Sequence, residues 1–247
     1  MTQPMTPMPQ ELGYATGRAS AVPAFLPTET RAKWAVVFLY IWVGSTVVQL
    51  VTTGMTLFWM TSVFDNPQQR PSAGFFAVMG LTWLASLLHF GIWVTAIVFM
   101  CMWLFRSLNN LRSFGREPRL NPGLSVGFWF IPLANLVMPG VIHADLLRKS
   151  DRAATGSTGA AWWMMGLMLV SWLLQVGGLV WQQTRAVMTI MRNPPTGNQP
   201  PDLSLMFYTP AVALQLSAYP VWIGGLIAMI VVIRQVQRRQ ADTVRSL

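Results

Sequence analysis

Four stretches of this chain run for 30 residues or more without Asp, Glu, Lys or Arg: Trp34 to Phe64, Pro71 to Phe105, Ala153 to Thr184 and Leu203 to Ile233. Each is longer than the roughly 20 apolar residues that carry a helix across a bilayer. Within lipid every backbone N–H and C=O must be paired inside the protein, so an isolated apolar span has to be a helix. The hydropathy predicts spans at about 34–58, 78–104, 161–182 and 207–233. The chain therefore reads as an all-α membrane protein, a bundle of four transmembrane helices. Only 10% of its residues are charged, where soluble domains average about 25%. Trp34, Trp59, Trp103, Trp162, Trp163 and Trp181 fall near predicted span ends, the level at which amphipathic rings gather.

The placement of positive charge orients the bundle. Of the 17 Lys and Arg residues, 14 lie before the first span, between spans 2 and 3, or after span 4. Loops that stay in the cytoplasm carry this excess, so both termini and the central loop are expected there. Residues 1–30 read as a flexible Pro-rich cytoplasmic tail, 31–240 as a single transmembrane domain with a motif loop at 105–155, and 241–247 as a short cytoplasmic tail. The net charge of +9 sits in loops beside spans, which suits anionic lipid headgroups and leaves no separate basic domain for nucleic acid.

The central loop is too apolar for an ordinary loop. Span 2 is predicted to continue past the membrane surface as an amphipathic helix, with Leu104, Leu108 and Leu111 on one side and Arg106 one turn before Asn110. Gly115 suits a helix C-terminal cap, and Asn121-Pro122-Gly123 reads as a turn. A fifth apolar stretch, Leu124 to Ala144, is interrupted by Pro132, Asn135 and Pro139. Were it to cross, the basic clusters would fall on opposite sides. It reads as an interfacial or re-entrant segment between helices 2 and 3. Arg106, Asn110, Arg112, Trp129 and Asn135 are the candidate contacts to lipid headgroups or a partner, because guanidinium and amide groups bind phosphate well. Gly115, Pro122, Gly123, Pro132 and Pro139 form the candidate structural motif.

The order of Arg106, Asn110, Leu111, Gly115, Pro122, Gly123, Gly127, Trp129, Phe130, Ile131, Pro132, Ala134, Asn135, Leu136 and Pro139 resembles the bacterial membrane family known as domain of unknown function 4328. Gly140 stands where the family usually has an aromatic, and Asp145 and Leu147 replace a Glu and a Trp. The resemblance implies a multi-span module of the bacterial cytoplasmic (inner) membrane, and no activity.

Chemistry-bearing residues are few. His89 lies mid-span, where a polar side chain is paired or functional. The second histidine, His143, falls in the central loop, which argues against bis-histidine haem. The single cysteine, Cys101, forms no internal disulfide. No metal-ligand spacing, phosphate loop or nucleophile motif is present, so no catalytic residue, metal or cofactor is assigned. Gly177–Leu179 and Gly224–Leu226 offer small residues for close helix approach in spans 3 and 4. The leading expectation is a non-catalytic structural or interaction module contacting membrane lipids, a sister subunit or a protein partner. The alternative is a small oligomeric transporter or channel, with polar contacts from His89, Gln49 and Gln175. A lipid-modifying enzyme ranks third.

Overall fold

The computed structural model describes residues 24–65, 72–151, 156–192 and 209–246. Residues 1–23 of the expected tail lie outside these, as do 193–202, whose Pro194, Pro195, Pro200 and Pro201 predict an irregular loop between spans 3 and 4. Among the described residues seven helices form: α1 Glu29–Asp65, α2 Ala73–Ser113, α3 Pro122–Gly127, α4 Pro132–Asn135, α5 Met138–Ser150, α6 Gly159–Arg192 and α7 Thr209–Arg245. Four of them, α1, α2, α6 and α7, are long and apolar enough to cross a membrane. The chain is a multi-pass membrane protein. α1, α2 and α6 overrun their predicted spans at both ends and α7 runs past the predicted end of its span, because helical hydrogen bonding continues past the residues that lipid demands. The expected tail at 241–247 is helical as far as Arg245.

The long helices pack in the order α2, α1, α7, α6. α1 lies along α2 and touches α7, and α6 lies along α7; no seam joins α2 to α6. The α1–α2 seam is polar. Gln49 Nε2 donates to Ser86 Oγ at 3.0 Å, the Thr56 and Thr82 hydroxyls meet at 2.7 Å, and Ser45 Oγ lies 3.1 Å from His89 Nδ1. The α6–α7 seam uses both glycine triplets. A Cβ at Gly178 would stand 2.9 Å from the Ala211 carbonyl, and one at Gly225 would stand 3.0 Å from Met168 Cγ. Small residues there let the two backbones close together. Pro210 sits in the first turn of α7, and the helix runs on through Pro220.

The end of the bundle that carries α3, α4 and α5, here the motif end, holds most of the tightly packed core. Trp103, Leu104, Leu108, Leu111, Leu146, Leu147, Ile233 and Val236 are buried together there. Each buried Leu or Ile stabilises by about 1.5–3 kcal/mol relative to water. Trp103 is 0% exposed. It belongs to the core and stacks on His143 rather than standing in an interfacial belt. α2 ends as its sequence predicts. Gly115 adopts φ +70, its N–H donates to Arg112 O, and Arg116 N–H donates to Leu111 O. These are the two bonds of a Schellman cap, which favours glycine because a Cβ is strained at positive φ. Asn121-Pro122-Gly123 differs from its reading as a turn. Asn121 caps α3 by accepting from Gly123 N–H at 2.9 Å, with Pro122 in the first helical position.

α5 is fastened at its C-terminal end by partners distant in sequence. Arg239 donates to Leu147 O at 2.7 Å, Thr243 Oγ1 donates to Ser150 O at 3.0 Å, and Arg116 donates to the carbonyls of Lys149 and Asp151. Helix ends leave carbonyls without intrahelical donors, and cations there also oppose the helix dipole. These arginines, read from sequence as part of a membrane-facing charge bias, act as caps. Arg239 Nη2 also reaches Ser157 O at 3.1 Å, tying α5 to the start of α6. Arg239→Met keeps the apolar stem but loses both bonds. It is expected to cost about 2 kcal/mol, read as a lower thermal midpoint in detergent; an unchanged midpoint would show that the cap contributes nothing.

Candidate functional site

Because α2 and α6 do not pack together, a cleft opens between them, with α1 and α7 as its floor. Four tryptophans collar it, one from each long helix: Trp42 of α1, Trp93 of α2, Trp172 of α6 and Trp222 of α7. All four line both of the lobes that make up the cleft. Trp42 and Trp172 each lie 13 residues past the first residue of their helices, about 20 Å at 1.5 Å per residue. Trp42 is 5% exposed and meets Trp222 edge to face at 5.6 Å.

The collar separates two lobes. The lobe toward the motif end measures about 450 Å³ and is lined by aliphatic side chains such as Leu39, Ile97, Met100 and Met168. Its end wall is the motif itself: Trp129, Phe130, Pro132, Asn135 and Leu136. The far lobe measures about 500 Å³ and adds Ser86, His89, Phe90 and Gln175 to the four tryptophans. Among the described residues no charged residue lines either lobe. Volumes of this size lie within the range of small-molecule pockets.

The wall is built by the turn that follows α3 and by the very short helix α4. Pro132 starts α4 and cannot donate to the preceding turn, so the chain folds back and does not cross the bundle. The turned segment exposes apolar side chains outward; Leu133 is 82% exposed and Phe130 66%. Behind it, His143 is fully buried between Trp103 and Trp129, with ring centroids 6.1 and 6.0 Å away. Its Nδ1 lies 2.7 Å from Pro139 O, an atom that can only accept, so Nδ1 carries the proton. Burial pushes the His143 pKa down to about 4, against a smaller upward pull from that bond.

The sequence candidates divide among several places. Trp129 and Asn135 come together with Pro132 in the cleft wall. Asn110 is buried and forms two bonds with the backbone of Leu26: its Nδ2 donates to Leu26 O at 2.8 Å, and Leu26 N–H donates to its Oδ1 at 3.2 Å. It clamps the segment before α1. Arg112 pairs with Glu117 at 3.3 Å in an exposed bridge. Arg106 is half-buried, and its Nε is covered without a hydrogen-bond partner. Neither arginine lines the cleft. Gly115 caps α2, Pro122 and Gly123 open α3, and Pro139 supplies the carbonyl that holds His143. His89 of α2 and Gln175 of α6 line opposite walls of the far lobe, whereas Gln49 turns to Ser86. Among the described residues no cluster of His, Cys, Asp and Glu could hold a metal.

Sequence reasoning missed the collar. A signal was present: Trp42, Trp93, Trp172 and Trp222 lie well inside the predicted spans, one per span. Tryptophan prefers the interface, so four at mid-span mark a cavity rather than a belt.

Residues 75–194 match the family model described as Domain of unknown function (DUF4328). That match covers α2 to α6, which are both walls of the cleft and its motif end; α1 and α7, the floor, lie outside it. No curated protein and no solved structure gives a significant match.

Proposed function

We propose, from the premise that this chain carries a DUF4328 domain, that it is a non-catalytic membrane module that admits a lipid-like chain into the cleft between α2 and α6. One observation carries this reading: the cleft is uncharged, aromatic and aliphatic, and its open side is the side an apolar helix presents to bilayer. A ligand that enters sideways must already be dissolved in the membrane. The motif segment then forms the cytoplasmic rim, with Phe130, Ile131 and Leu133 in the headgroup region and Asn135 at the mouth. The lysine and arginine bias supports a cytoplasmic motif end and cytoplasmic termini in a bacterial inner membrane. Of the candidate headgroup contacts, Arg106 and Arg112 are partly exposed at that level.

The test is retained lipid. Protein purified in mild detergent is expected to carry lipid that mass spectrometry detects after extraction. Filling the motif-end lobe with Ile97→Phe plus Met168→Phe is expected to lower that amount several-fold while the fold persists. An unchanged lipid content in the folded double variant would sink the reading. A second reading, transport, is favoured by one further feature: both lobes meet at the same four tryptophans, so a ligand could pass between levels. Flux in proteoliposomes containing this protein alone would support it.

A further inference from the structure

We infer that the far lobe selects a neutral lipid whose head is a hydroxylated aromatic ring, with the hydroxyl donating to His89 Nε2. The inference rests on the cleft reading and specifies its ligand.

Ser45 Oγ contacts two acceptors, Trp42 O at 2.8 Å and His89 Nδ1 at 3.1 Å. A hydroxyl has one hydrogen, and the shorter contact is to a carbonyl, which can only accept. The hydrogen goes there, so Ser45 Oγ accepts from His89 Nδ1–H. A neutral imidazole has one N–H, which leaves Nε2 with a bare lone pair. Nδ1 is turned toward α1, so Nε2 lies on the ring edge away from it. No residue among those described pairs with Nε2.

The other polar groups of the lobe narrow the choice. Ser86 Oγ donates to Thr82 O at 2.8 Å and accepts from Gln49 at 3.0 Å, so it is occupied. The Gln175 amide on the opposite wall has no partner among the described residues and offers both a donor and an acceptor. Among the described residues the lobe therefore presents one strong acceptor and one amide, with no charge. A cationic head would find no carboxylate and an anionic head no guanidinium. A saturated chain would leave both polar groups unpaired in an apolar setting. Five aromatic side chains complete the walls, Trp42, Phe90, Trp93, Trp172 and Trp222, and aromatic rings pack favourably on a planar aromatic head. Such a head would lie in the far lobe, and its apolar tail would pass the collar toward Ile97 and Met168.

Equilibrium binding to the full-length protein in detergent tests this with three probes. α-Tocopherol supplies a phenolic ring and a long tail. Its O-methyl ether keeps the ring and tail, replaces the donor hydrogen with a methyl group, and cannot donate. Phytane supplies the tail alone. The phenol is expected to bind about tenfold more tightly than its ether, the size of one well-placed hydrogen bond. His89→Phe is expected to bring phenol affinity down to that of the ether and to leave the ether unchanged. Equal affinity of phenol and ether in the wild type, with phytane still competing, would overturn the inference and leave the cleft reading standing. Failure of all three to bind would remove both. Should His89→Phe not fold, the wild-type contrast between phenol and ether decides alone.

Discussion

Gly178→Ala is expected to destabilise this protein by about 1–3 kcal/mol, while Gly177→Ala, one residue earlier, is expected to be neutral or stabilising by up to about 1 kcal/mol. The two glycines share a helix, a sequence context and a depth. They differ in what a methyl group would meet. At Gly178 the new Cβ would lie 2.6 Å from Gln215 Cγ and 2.9 Å from the Ala211 carbonyl oxygen. The glutamine can turn, but the carbonyl belongs to the backbone of α7 and cannot yield without moving the helix. At Gly177 the nearest atom is Leu214 Cδ2 at 3.6 Å, an ordinary contact, so the gain in helix propensity is free to show. Thermal unfolding of both variants in one detergent measures the contrast. Equal midpoints would mean that α6 and α7 do not approach as closely as described. The same seam sets one wall of the cleft, so Gly178→Ala is also expected to reduce lipid retention.

Acid is expected to weaken the fold through His143. Its pKa in the folded protein is about 4, below the ordinary 6.5, because desolvation penalises the imidazolium. Between those values the unfolded chain binds a proton that the folded chain does not. Stability is therefore intact above about pH 6.5 and falls as pH drops toward 4, by an amount on the order of 3 kcal/mol. The thermal midpoint followed from pH 7 to pH 4 should fall in the wild type. In His143→Phe it should fall much less, because phenylalanine retains the contacts with Trp103 and Trp129 and does not titrate. A slope of equal size in the variant would assign the acid sensitivity to other groups. The effect reaches the site directly, since Trp129 packs on His143 on one side and lines the cleft on the other.

The sequence and the structure agree where the physics is local. The Gly115 cap needs only a glycine after the last apolar turn, and the chain has one there. The broken segment after α3 needs only prolines too closely spaced for a crossing helix. The glycine triplets give α6 and α7 their close approach because small residues act at the contact itself. Agreement stops where a partner is far away in the chain. Asn110 reads as an exposed amide beside arginines, yet its partner is the backbone of Leu26, 84 residues earlier. Arg239 reads as one more basic tail residue, yet it caps Leu147, 92 residues before it. The departure at Gly140 also gains a reason: a Cβ there would stand 2.8 Å from Met165 Cγ, so glycine lets α5 rest on α6.

By itself, the sequence determined four membrane-spanning helices, the stop after Ser113 and a central segment that does not cross. It could do so because the cost of a charge or an unpaired backbone group in lipid is charged residue by residue along the chain. The tertiary structure alone decided the packing order that parts α2 from α6. It also gathered one tryptophan from each long helix into a collar, and assigned arginines to helix carbonyls. Those outcomes depend on which faces of separate helices meet, and hydropathy along a single helix carries no record of its neighbours.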